Sequence, residues 1–179
     1  MKKLLLGGGG ELVNYDYLDI ANGLGYTTFY LFTSNNPVAE YHLSNIKVFS
    51  NTSIVSGADI IPFVTTAFNL PRTLNGNAYI DIYGHTDGGT WSCSGALILV
   101  RGADETNIGN FICPTAVGAS VDVIKTSKMA ISQTNIKKGD VLKLLLQGVD
   151  NNNFIRLDPT GIYSVVGTTQ IHLPFKLDI

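Results

Sequence analysis

This sequence is short of charge: Asp, Glu, Lys and Arg make up 15% of its 179 residues, against roughly 25% in an ordinary soluble domain. With 12 basic and 14 acidic side chains the formal net charge is −2, which supplies no footprint for a phosphate backbone, so nucleic acid is not an expected partner. Two cysteines, Cys93 and Cys113, are too few for a disulfide framework, and their spacing is neither a redox CxxC nor part of a zinc knuckle. His42, His85 and His172 show no HxxxH or HExxH spacing, and no metal or other cofactor is expected. Ser92-Cys93-Ser94-Gly95 lacks the GxSxG pattern of an esterase nucleophile. With no triad, cupin-like ligand set or carboxylate pair to be read, the expectation is a protein that is not an enzyme. Membrane insertion is not expected either, because no run approaches the roughly 20 apolar residues of a spanning helix. Even Val141 to Val149 contains Lys143, Gln147 and Gly148.

Helical periodicity is missing too, since apolar residues seldom recur at i, i+3, i+4 and i+7. Only Asn14 to Asn22 and Asn36 to His42 could form short helical turns. What is present is strand pattern, with 45% apolar residues punctuated by 19 glycines, six prolines and clusters of Asn, Ser and Thr. Tyr26 to Phe32 is aromatic and β-branched. Ala78 to Tyr83 alternates, placing Ala78, Ile80 and Ile82 on one face and Tyr79, Asp81 and Tyr83 on the other. Gly95 to Arg101 and Ile108 to Cys113 read as a hairpin around Gly102 to Asn107, which makes Cys93 and Cys113 near neighbours. Further strands are expected at Asn45 to Phe49, Ser53 to Val55, Ile60 to Phe68, Val121 to Ile124, Met129 to Ile131, Val141 to Gln147 and Phe154 to Leu157. The last runs from Thr169 to Ile179, with Pro174 marking an edge or a bulge. Many short strands without intervening helices predict an all-β fold, a two-sheet antiparallel β-sandwich of jelly-roll topology.

Met1-Lys2-Lys3-Leu4-Leu5-Leu6 runs into four glycines, too short an apolar stretch for a secretory signal. Residues 1–10 are expected to be a flexible tether carrying a docking segment, Lys2, Lys3, Leu4, Leu5 and Leu6, ahead of a single domain over 11–179. The richest polar stretch is Tyr83-Gly84-His85-Thr86-Asp87-Gly88-Gly89. There His85 and Asp87 could share a metal, for which a third ligand is lacking, or a sugar hydroxyl, with Trp91 as an aromatic platform.

Three segments carry a resemblance: Ile136-Lys137-Lys138-Gly139-Asp140-Val141-Leu142-Lys143-Leu144, the strand Ala78 to Tyr83, and the terminal His172-Leu173-Pro174-Phe175-Lys176-Leu177. In these the chain resembles the single jelly-roll modules of virion accessory proteins, such as bacteriophage head fibres, decoration proteins and tail tips. It is similar also to the trimeric tumour-necrosis-factor and C1q-like group, where a Gly-Asp step leads into a late strand and the chain ends near the threefold axis. The resemblance implies a homotrimer assembled in the host cytoplasm, located on the virion, with other virion structural proteins as partners. The expected function is therefore a non-enzymatic virion structural protein that mediates protein–protein assembly on the particle. Low charge suits such contact, since interface cores are depleted of charged residues. The alternative is a carbohydrate-binding β-sandwich that recognises a host glycan through His85, Asp87 and Trp91.

Overall fold

The computed structural model describes residues 24–35, 39–46, 54–56, 60–86, 90–117, 121–148, 153–157 and 169–176. Every regular element among them is a strand: β1 (Leu24–Asn35), β2 (Ala39–Ser44), β3 (Ile54–Ser56), β4 (Ile61–Thr65), β5 (Arg72–Thr86), β6 (Thr90–Trp91), β7 (Cys93–Arg101), β8 (Asp104–Ile112), β9 (Ala116–Val117), β10 (Val121–Ile136), β11 (Val141–Gly148), β12 (Asn153–Arg156) and β13 (Gln170–Lys176). The fold is all-β. The helical turn expected at Asn36 to His42 is instead partly strand β2, because Tyr41 and Leu43 alternate with His42 and pair with β1. Its counterpart at Asn14 to Asn22 lies outside the described residues, as does the expected tether.

The described strands hydrogen-bond into one 11-stranded sheet, in the order β3-β12-β5-β13-β1-β2-β4-β11-β7-β8 with β10 also paired to β5, and β6 and β9 form a separate ribbon. This is a mixed sheet rather than two separate antiparallel ones, because β2 and β4 run parallel through His42↔Val64 and Leu43↔Thr65. Period-two patterning tells which residues share a face, but the choice of neighbour is a tertiary matter. The sheet curls until β8 packs against β10, nearly closing a barrel. Gly109 of β8 lies so close to Met129 and Ala130 that a Cβ there would be crowded, and the Ser127 hydroxyl donates to the Ile112 carbonyl at 3.2 Å. That bond explains why β10 is one strand where two short ones were expected. The polar interval Lys125-Thr126-Ser127-Lys128 keeps strand geometry, and its one inward polar side chain is satisfied.

The core follows the alternation. Phe29 and Leu31 of β1, Ile171, Leu173 and Phe175 of β13, Ala78, Ile80 and Ile82 of β5, Leu97 and Leu99 of β7, and Leu142, Leu144 and Leu146 of β11 are all buried. Each large side chain contributes roughly 1.5–3 kcal/mol when removed from water. Pro174 sits in β13, an interior strand, where the register against β5 shifts between His172 and Phe175. The bulge, not the edge, is what accommodates it.

The Gly-Asp step has a local cause. Gly139 turns the chain at φ 93°, a left-handed conformation that favours glycine. Asp140 then folds its buried carboxylate back onto the Lys137 N–H at 2.8 Å, and Arg101 grips it with Nε at 3.0 Å and Nη2 at 2.6 Å. The Arg101 guanidinium holds that carboxyl below the usual range, against the opposing influence of burial.

Candidate functional site

His85 lies near the end of β5, paired with Asp122 of β10 and Phe154 of β12. Asp87 is outside the described residues, and so are Lys2, Lys3, Leu4, Leu5 and Leu6. Trp91 is fully buried, with its indole packed so closely on Gly84 that a Cβ there would overlap the ring. The indole is thus a core element and offers no open face to a sugar.

A polar row that the sequence did not single out crosses the face of the sheet opposite the core. Alternation puts Tyr26 and Thr28 of β1, Gln170 and His172 of β13, and Tyr79 and Asp81 of β5 on that face. Pairing sets Thr28 beside His172, His172 beside Tyr79, Gln170 beside Asp81, and Asp81 beside Thr126 of β10. The Thr28 hydroxyl is 2.9 Å from His172 Nδ1, and His172 Nε2 is 3.0 Å from Asp81 Oδ2. Thr126 and Gln170 donate to the same carboxylate at 2.6 and 3.1 Å. Tyr26 and Tyr79 flank the row with ring centroids 5.9 Å apart.

Burial alone would raise the Asp81 carboxyl, but the bonds from His172, Thr126 and Gln170 together with the imidazole's charge outweigh it and hold the group at about 2. Ionised Asp81 only accepts, so Nε2 carries a proton; with the imidazole neutral, Nδ1 accepts and the Thr28 hydroxyl donates. Hydroxyl to imidazole to carboxylate is the polarity that activates a nucleophile. The row is closed in, however: Thr28 is 5% and His172 3% exposed.

A cavity of about 450 Å³ opens at the β2–β4 seam. Phe29, Phe32, Phe68 and Phe175 supply its apolar walls, while Thr27, Ser44, Asn45, Thr66 and Asn69 add hydroxyls and amides. Phe68 is fixed by its backbone, which donates to the Asp140 carbonyl at 2.9 Å and accepts from the Gly139 N–H at 2.8 Å. Phe175 lies 6.2 Å from Phe68 and 6.4 Å from Phe29, with the Arg72 guanidinium 5.9 Å above its ring.

A third surface covers the outward side of β4, β11, β7 and β8. Pro62, Leu145 and Ala96 stand in one cross-strand line, Val64, Lys143 and Ile98 in the next. Ile60 is 58% and Ile112 80% exposed beside them. Gly95 lets this region pack, since a Cβ there would meet the Leu145 carbonyl and the Phe111 ring. Lys143 and Glu105 form an ion pair at its border.

No family model matches the chain, and no curated protein does. Solved structures show the fold. A CocE/NonD family hydrolase from Staphylococcus aureus is similar at a TM-score of 0.66 and 14% identity, over 86% of this chain and 37% of that one. An α-amino acid ester hydrolase is similar at 0.56 and 11%, over 83% of this chain and 35% of that one. The chain thus spans little more than a third of the length of these hydrolases. Eiger, a tumour necrosis factor from S. frugiperda, is similar at 0.44 and 13%, over 87% and 93%, too weak a likeness to build on. The expectation that the chain is not an enzyme is corrected by the hydrolase likenesses: this fold occurs within hydrolases, and a non-catalytic role does not follow from it. That expectation rested on contiguous motifs, whereas the hydroxyl, imidazole and carboxylate here come together from positions 28, 172 and 81.

Proposed function

We propose that the chain is a structural module of a larger assembly, of the virion accessory type, which docks through the outward face of β4, β11, β7 and β8. The observation that carries this reading is the apolar character of that face, with Ile60 and Ile112 exposed and Leu145, Ala96 and Pro62 between them. An apolar centre beside a charged border is the anatomy of a docking surface. In this reading the curled sheet is a jelly roll. Its halves, β5-β13-β1-β2 with β10 and β4-β11-β7-β8, face each other across the core. Three copies associate through the apolar face, and Lys2 to Leu6 reach a neighbouring virion protein.

Light scattering tests it. A trimer at micromolar concentration that becomes monomeric in a Leu145→Glu, Ile112→Glu variant of unchanged circular dichroism supports the reading, whereas a monomeric parent protein overturns the trimer.

A second reading has its own observation, the Thr28–His172–Asp81 row together with the likeness to hydrolases. Here the chain is a β domain that belongs to ester or amide hydrolysis. Ester turnover by the purified chain that is lost in both Thr28→Ala and His172→Ala would support it, and absence of turnover would leave the assembly reading.

A further inference from the structure

We infer that the cavity at the β2–β4 seam is a binding site for an acidic saccharide, a pyranose ring bearing a carboxylate. Its volume, about 450 Å³, falls in the range of pockets that hold small ligands. Three features of its lining select the ligand class. Half-buried Phe68 presents an aromatic wall whose position is set before any ligand arrives, because its backbone is bonded on both sides to the Gly139-Asp140 turn and its ring packs on buried Phe175 of a central strand. An aromatic wall takes the C–H face of a sugar ring by dispersion and desolvation.

Around that wall, beside the His42 imidazole, Ser44, Asn45 and Asn69 offer hydroxyl and amide groups, which both donate and accept and so match the two-way hydrogen bonding of ring hydroxyls. A purely aromatic carboxylate would leave these groups without partners on binding, which costs affinity. The only guanidinium in the lining is that of Arg72. It rests over the Phe175 ring with no ion pair or hydrogen bond to any described carboxylate. Its planar fork suits a carboxylate bound through two parallel N–H···O bonds. Aromatic wall, neutral donors and acceptors, and one uncommitted cation at the rim together describe a uronate. The site is separate from the Trp91 region and borders the apolar docking face at Val64.

The experiment is a calorimetric or NMR titration of the full chain with glucuronate and galacturonate disaccharides, their methyl esters, and phenylacetate. Expected are saturable binding of a uronate, shifts confined to resonances around the seam, and an affinity about tenfold weaker for the uncharged ester. Arg72→Gln, a change at an exposed position, is expected to abolish that preference for the acid. The inference is overturned if neither uronate binds, if ester and acid bind equally, if phenylacetate binds more tightly than both uronates, or if Arg72→Gln leaves the acid preference intact. The comparison of acid with ester on the parent chain keeps the test decisive should the variant fold poorly.

Discussion

The Thr28 hydroxyl and His172 Nδ1 lie 2.9 Å apart although 144 residues separate them along the chain. Strands β1 and β13 bring them together as direct neighbours in the ladder, and Asp81 completes the row from β5. The row's behaviour under acid follows from the bonds that Asp81 accepts.

Asp81 has its carboxyl lowered from 3.8 to about 2 in the fold, so the stability it contributes is present above the unfolded value and lost as pH falls through the folded one. Chemical denaturation across this range is expected to show stability declining between about pH 4 and pH 2. Asp81→Asn should make the decline shallower, and an unchanged slope in that variant would contradict the assignment.

Asp140 is the keystone of the turn before β11. Asp140→Ala removes the acceptor of the Lys137 N–H and of Arg101 at once, and is expected to lower the thermal midpoint by roughly 4–8 °C. Arg101→Ala, which leaves the Lys137 bond in place, should cost less. Differential scanning calorimetry of the two variants checks the order.

Trp91 is the chain's single tryptophan, so fluorescence reports on its packing alone. Gly84→Ala forces a methyl group against the indole and is expected to destabilise by about 1–3 kcal/mol. A red-shifted native emission should accompany the loss. Unchanged emission and stability would mean that the ring does not pack on Gly84.

Cys93 and Cys113 are buried free thiols whose backbones meet, with the Cys113 N–H donating to the Cys93 carbonyl at 2.7 Å. The neighbouring Cys113 sulfur and then burial push the Cys93 thiol up, while the bond from Cys93 brings Cys113 down. Neither should react with a thiol reagent in the native state, and both should react after denaturation. Rapid native labelling of Cys93 would count against its burial.

Much of the strand layout was legible because apolar alternation survives folding unchanged: Ala78, Ile80 and Ile82 face the core as their spacing requires, and the hairpin that joins Cys93 to Cys113 is present, although its turn is Gly102-Ala103 and the polar Asp104 to Asn107, expected as loop, belong to β8. Pro174 likewise announced an irregularity in β13. The parallel seam was not legible, since nothing in the pattern of His42-Leu43 or Val64-Thr65 names the other as a neighbour. The candidate sites were less legible still. His172 and Asp81 sit 91 residues apart, and motif spacing detects only groups close in sequence. One signal was available: in Tyr79-Ile80-Asp81, a charged residue sits in the middle of an otherwise apolar strand and must find partners on the face to which alternation assigns it. The reading of Trp91 as a sugar platform missed that Gly84, seven positions earlier, leaves room for an indole inside.

The β2–β4 ladder consists of the pairs His42↔Val64 and Leu43↔Thr65, whereas β10 and β5 pair along nearly their whole lengths. A curled sheet held at one meridian by so short a ladder has a seam in the tailoring sense, a line along which it can be unpicked without tearing the cloth on either side. Amide protons at that line should exchange with solvent before those of β5 and β10, and a molecule seated in the cavity there would act as a stitch. Occupancy of a surface pocket and closure of the whole curled sheet would then be two readings of the same equilibrium.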